Sequence, residues 1–160
     1  MVRWRCTSSF PKSLDGIYGA AEIVARRVAA MTGDRFRITV HAAGEVVPAG
    51  QLLDAVQAGT VEAGHTALSA FYGREPTWAF GMGMPYGMNA RQYAAWWYQL
   101  GGDKVFNDFA SRNAGITAFL CGNTGTQMGG WFRKEIRTVK DLDGLKMRVG
   151  GLAGSVLAKL

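Results

Sequence analysis

VRWRCTSSFPKSLDGIYGAAEIVARRVAAMTGDRFRITV, residues 2–40, is the stretch that decides the fold. Val2, Trp4 and Cys6 alternate with Arg3 and Arg5, the period of a strand with one apolar face. Pro11 cannot continue a hydrogen-bonded ladder, so the strand ends before it. Ile17, Ala20, Ala21, Val24, Val28 and Met31 recur at helical spacing over residues 14–31, and Gly33 stops the helix. Phe36, Ile38 and Val40 then alternate with Arg35, Arg37 and Thr39 as a second strand. Strands alternating with helices predict an α/β domain with a mostly parallel sheet.

Outward from this unit the alternation continues. Leu52, Leu53 and Val56 followed by Gly59 predict a short helix with a C-terminal glycine. Val61 and Ala63 predict a short third strand. Residues 73–88 contain Pro76, Pro85 and several glycines, which marks an irregular loop. Asn89 with Gln92 three residues on forms a capping box that opens a helix carrying Tyr93, Trp96, Trp97 and Leu100. Phe106, Phe109 and Ala110 place another helix over residues 103–113. Residues 116–121 are apolar and read as a buried strand. Thr138 to Asp141 is a second capping box, closed by Gly144. Leu145, Met147 and Val149 then alternate with Lys146 and Arg148 as a strand. Leu152, Val156, Leu157 and Leu160 share one face of a helix, with no stop signal before the last residue.

The 160 residues carry 18 Lys+Arg against 12 Asp+Glu, a net charge of +6, and are 48% hydrophobic. The basic residues are scattered, and their densest runs are pairs such as Arg26-Arg27. Nucleic-acid binders cluster charge on one face, so no nucleic acid is expected. A diffuse positive field still collects small anions. Residues 2–9 are too polar for the core of a signal peptide. No run of about 18 apolar residues suits a membrane span. A cytosolic chain and an exported one already stripped of its leader both stay open. Cys6 and Cys121 belong to no CxxC pair, and with two isolated histidines they make a zinc site improbable. The expectation is two buried thiols acting as small hydrophobes.

Two stretches carry chemistry. Arg148 lies two residues before Gly150-Gly151, at the carboxyl end of its expected strand, where open α/β sheets bind ligands. The glycine pair allows close backbone approach, and the guanidinium fork matches a carboxylate. Asn123, Thr124, Thr126 and Gln127 stand among Gly122, Gly125, Gly129 and Gly130. Such uncharged side chains suit a ligand or the shell of a cation, although on loop composition alone a polar turn explains them better. Phe71, Tyr72, Trp78, Phe80 and Tyr86 are aromatics able to wall a pocket or to anchor a core. His41 and His65 are lone residues. There is no GxSxG elbow. Residues 150–155 resemble a dinucleotide loop without matching GxGxxG.

These residues also carry a family resemblance. The chain resembles the DctP-like solute-binding proteins of TRAP transporters, and within them the receptors for 2-oxo (alpha-keto) acids. The likeness runs through residues 2–15, 42–48 and 53–62. It is most specific in residues 123–136 and 141–151. It implies a periplasmic, non-enzymatic receptor with a periplasmic-binding-protein-like architecture of two α/β domains closing on a carboxylate. Residues 1–121 would be the first domain, with a hinge strand near 116–121. Residues 122–160 would open the second, truncated, so that the sequence is the N-terminal half. Carried over residue by residue, the resemblance makes Arg148 the partner of the ligand carboxylate. It makes Gln127 both a ligand contact and a metal ligand for a sodium or calcium ion. Tyr72 and Asn123 complete the substrate-binding candidates. TRAP membrane permease subunits would be partners, and a homodimer is one state open to the intact protein. The rival expectations are a small nucleotide-dependent enzyme using residues 150–155, and a non-functional gene fragment.

Overall fold

The computed structural model describes residues 1–82, 84–125 and 128–160. Strand β1 (Val2–Ser8) leads into helix α1 (Asp15–Met31), and strand β2 (Phe36–His41) follows. A 3-10 turn at Ala49–Gln51 runs directly into α2 (Leu52–Gln57), and β3 (Ala63–His65) comes next. Both neighbours of β1 run parallel to it, and the strand order is β2-β1-β3. The expected α/β class is therefore the observed one.

Strand β3 joins late, at Cys6↔Ala63. One step earlier the Glu62 carboxylate takes its place, accepting from Arg5 N at 2.7 Å and from the Arg5 guanidinium at 3.0 Å. The first half of β1 thus pairs with β2 alone. Val2 and Trp4, expected inside, are exposed, and Trp4 leans edge-on against Phe36 at 4.9 Å. Helix α1 packs with its expected face in part, Ile17, Ala20 and Val28 being half-buried. Tyr18 and Ala21 are buried while Val24 and Met31 are exposed. The Tyr18 hydroxyl reaches the Val40 carbonyl at 3.4 Å and helps draw that side of the helix onto the sheet.

The larger core is built after β3. Two 3-10 turns, Leu68–Phe71 and Pro76–Gly81, lead to α3 (Ala90–Gln99) and α4 (Gly102–Ala114). The second turn gives order to part of the stretch read as an irregular loop. Leu52, Leu53, Phe71, Trp78, Trp97, Phe106, Ala110 and Ala114 form the buried cluster. Most of the aromatics offered as a pocket wall are thus core or surface: Phe71 and Trp78 are buried, and Phe80 and Tyr86 are exposed. The capping box of α3 is present, with Gln92 N donating to Asn89 Oδ1 at 3.0 Å and Asn89 N to Gln92 Oε1 at 2.9 Å. Helices α3 and α4 meet at a sharp corner. A Cβ at Gly102 would sit 2.4 Å from the Trp96 ring, so only glycine fits there.

Past α4 the chain is extended but unpaired. Residues 116–121, expected as a buried strand, form no strand and alternate between half-buried and exposed. Ile116, Ala118 and Leu120 pack on the core cluster, whereas Phe119 is 83% exposed. The Asn107 side chain holds this segment as a neighbouring strand would. It accepts from Ala118 N at 2.6 Å and donates to Ala118 O at 3.1 Å. Asn107→Ala should therefore cost about 1–2 kcal/mol and sharply raise hydrogen exchange at the Ala118 amide. Unchanged exchange there would contradict the clamp.

A 3-10 turn at Val139–Leu142 carries the expected Thr138–Asp141 capping box, and the last helix is α5 (Gly151–Leu157). Helix α5 stops before Leu160, and its Val156 and Leu160 stay exposed. Among the described residues no helix is long and apolar enough to cross a membrane.

Both cysteines are free, but Cys121 is exposed, against expectation. Among the described residues no strand lies beyond its segment to cover the thiol. Burial, with a smaller contribution from the nearby Cys121 thiol, pushes the Cys6 thiol up to about 11. A maleimide at pH 8 should label Cys121 in the native protein and reach Cys6 only after denaturation. Equal native labelling of both would contradict this placement.

Candidate functional site

Arg148 lies on an extended segment, residues 145–150, that forms no strand. The expected alternation survives without a ladder. Leu145, Met147 and Val149 are half-buried, and Lys146, Arg148 and Gly150 are exposed. Strand character needed a pairing partner that the described residues do not provide. The exposed Arg148 side chain has no hydrogen bond or ion pair among the described residues. Arg5 pairs with Glu62, Arg37 with Asp34, Arg74 with Asp54 and Arg137 with Glu135, whereas Arg3, Arg26, Arg27, Arg91 and Arg133 are as free as Arg148 among the described residues, so its place on the segment docked on Tyr72 is what distinguishes it.

The turn after Arg148 is docked on the candidate aromatic. Gly151 has φ +41°, and a Cβ there would lie 3.4 Å from Tyr72 Cβ and 3.3 Å from the Ser69 carbonyl. The dihedral is what calls for glycine, and the contact is close but not prohibitive. Helix α5 thereby rests on the two 3-10 turns. The fold thus joins Tyr72, half-buried at the end of the Leu68–Phe71 turn, to the segment that carries Arg148. The dinucleotide-loop reading of residues 150–155 loses its basis here, since no paired strand feeds the turn and the backbone approaches Tyr72 instead.

Asn123 is exposed, and its Oδ1 accepts from Gly125 N at 2.7 Å, closing a small turn. Gly122 lies against α1, where a Cβ would be 3.8 Å from Ala20 Cβ. Gln127, the remaining candidate and the expected metal ligand, lies outside the described residues. Among the described residues no three His, Cys, Asp or Glu side chains gather to hold a metal. The shallow concavities lie elsewhere. One of about 360 Å³ runs along α1 at Asp15, Gly19 and Arg26, and another of about 340 Å³ lies beside Gln51, Asp54 and Thr60.

One pairing escaped the sequence reading. His65, read as a lone residue, sits 3.0 Å from Ser8 Oγ. The two are 57 positions apart, and only the parallel register of β1 and β3 brings them together.

Residues 7–160 match the family described as bacterial extracellular solute-binding protein, family 7, or DctP. The chain is 53% identical to the monocarboxylate 2-oxoacid-binding periplasmic protein of Nostoc sp., over 99% of this chain and 43% of that protein. A TRAP transporter solute-binding protein of Bordetella bronchiseptica superposes with a TM-score of 0.95 at 44% identity, over 99% of this chain and 47% of that one. That structure holds copurified calcium and picolinate. A TRAP periplasmic solute-binding protein of Pseudoalteromonas atlantica, with bound sodium and pyruvate, superposes with a TM-score of 0.92 at 40% identity. The match covers 99% of this chain and 48% of that one. The chain spans about half the length of these relatives.

Proposed function

Because the chain belongs to the DctP family of bacterial extracellular solute-binding proteins, we propose that it forms one wall of a periplasmic TRAP-transporter receptor for a small 2-oxo monocarboxylate. The family is one of binding proteins, so the work is capture and release, with no bond broken. The observation that carries this reading is the exposed Arg148 guanidinium, without a partner among the described residues, on the segment whose glycine turn rests on Tyr72. A guanidinium binds a carboxylate through two parallel hydrogen bonds. Tyr72 offers an apolar body and a polar tip to the rest of a small acid.

Asn123 and Gln127 complete the proposed polar contacts, Gln127 on the strength of the family resemblance. Residues 116–121 are the proposed passage from the first domain into the second, which would begin at residue 122. TRAP membrane permease subunits are the proposed recipients of the ligand, and a homodimer is a proposed state of the whole receptor.

The relatives' calcium and sodium ions bear on a cation at this site. Calcium takes six to eight oxygen ligands. Asn123 Oδ1 is engaged by Gly125 N, and no carboxylate cluster stands nearby among the described residues. The described residues do not make a cation site by themselves, and a calcium or sodium ion at the ligand site, with Gln127 among its ligands, is proposed on the strength of the relatives.

The test is calorimetric titration with pyruvate of two proteins: residues 1–160 alone, and the same residues fused to the remainder of the Nostoc relative. The fusion should bind. The chain alone should show no saturable micromolar binding, because a guanidinium in open water contributes only about 0–1 kcal/mol per ion pair. Failure of the fusion to bind any 2-oxo acid would refute the receptor reading.

A further inference from the structure

The sheet changes its winding direction beside β1, since β2 lies on one side of it and β3 on the other. In an open parallel sheet the crevice beyond the strands' carboxyl ends at such a point is a preferred ligand site. Four polar residues close the strands there. Ser8 is in register with His65, and just beyond them Ser9 Oγ donates to Thr66 Oγ1 at 2.8 Å. The Phe10 ring stands edge-on to the imidazole at 5.4 Å. Ser8 is 1% exposed, and Thr7, also buried, leaves its hydroxyl oxygen without a partner among the described residues. Buried hydroxyls at a strand end are costly and call for a reason.

Hydrogen counting favours one tautomer of the ring. Ser8 Oγ already accepts from Phe10 N at 3.1 Å. Its own hydrogen is buried, and His65 Nδ1 at 3.0 Å is its only acceptor among the described residues. With the Ser8 hydroxyl assigned as donor to it, Nδ1 is unprotonated, and the neutral ring carries its hydrogen on Nε2. Burial works in the same direction by holding the imidazole below its ordinary pKa. Nε2 has no partner among the described residues, and His65 is only half-buried.

We propose that His65 is a specificity-determining residue of the binding cleft, a neutral donor whose Nε2–H, fixed by Ser8, meets a carboxylate or keto oxygen of the bound acid. This rests on the receptor reading above. Neutrality matters to the selectivity. A neutral donor aligns an acceptor oxygen without adding a second full charge, so it favours acids that carry one carboxylate over those that carry two.

Two measurements test it. In the fusion, His65→Gln keeps an N–H near the Nε2 position, whereas His65→Phe keeps a ring and removes the donor. Pyruvate affinity should fall about tenfold or more in His65→Phe and stay within about threefold in His65→Gln. Equal losses in both variants would assign His65 to structure alone, and no loss in His65→Phe would remove it from the site. Nitrogen-15 spectra of residues 1–160 should show Nε2 protonated and Nδ1 bare at neutral pH. The opposite tautomer would overturn the proposal even if His65→Phe failed to fold. If the unsubstituted fusion binds no 2-oxo acid, the receptor reading falls and takes this inference with it. Binding that is intact but indifferent to His65 refutes the inference alone.

Discussion

Arg148→Ala should weaken pyruvate binding by the fusion receptor by roughly 2–5 kcal/mol, a loss of about thirtyfold or more. The size follows from enclosure. Small-ligand clefts bury about 70–90% of the ligand surface, and a carboxylate left there without its guanidinium is an unpaired buried charge. Arg148→Lys should recover only part of the loss, because an ammonium cannot present two parallel donors. The fold itself should be indifferent. Arg148 is exposed and bonds to nothing among the described residues, so the melting temperature of ligand-free protein should not move. That contrast separates a binding role from a structural one. A loss below about threefold by calorimetry would remove Arg148 from the site.

Trp78→Ala should cost about 3–5 kcal/mol of stability. Trp78 is 2% exposed and meets Phe109 at 4.8 Å and Phe106 at 6.0 Å, both edge-on. Those rings belong to α4, and Phe106 in turn meets Trp97 of α3 at 5.6 Å. The cavity left by the indole would therefore loosen α3 and α4 together. Domains of this size have about 5–15 kcal/mol in total, so the variant should lose about a fifth or more. A urea titration would show the midpoint falling. Trp78→Phe should cost less, since it keeps a ring in place. A loss under about 1 kcal/mol for Trp78→Ala would mean that this cluster is not the centre of the core.

The same cluster explains why the site needs the fold. Phe71 is a core member, and Tyr72 follows it directly. Packing of Phe71 sets the position of Tyr72, and Gly151 then settles against Tyr72. The segment bearing Arg148 is thus tied to the same core as α3 and α4, through one glycine contact.

What the sequence determined by itself was what local chemistry decides. The strands β1 and β2, the length of α1 and the Asn89–Gln92 and Thr138–Asp141 capping boxes each depend on neighbours within a few positions. All were legible, as was the α/β class. The residues of the 123–136 and 141–151 stretches also carried the family. Tertiary structure alone decided the rest. Packing of α1 on the sheet brought Tyr18 into its buried face and left Val24 and Met31 out of it. Residues 116–121 and 145–150 kept their alternation yet formed no strand, because a ladder needs a partner and alternation specifies only a face. Cys121 was exposed for the same reason, with no strand among the described residues beyond its segment to cover it. The Ser8–His65 couple could not be read at all. Its two members are ordinary in their own surroundings, and they acquire a shared proton only when parallel pairing sets strands 57 residues apart side by side.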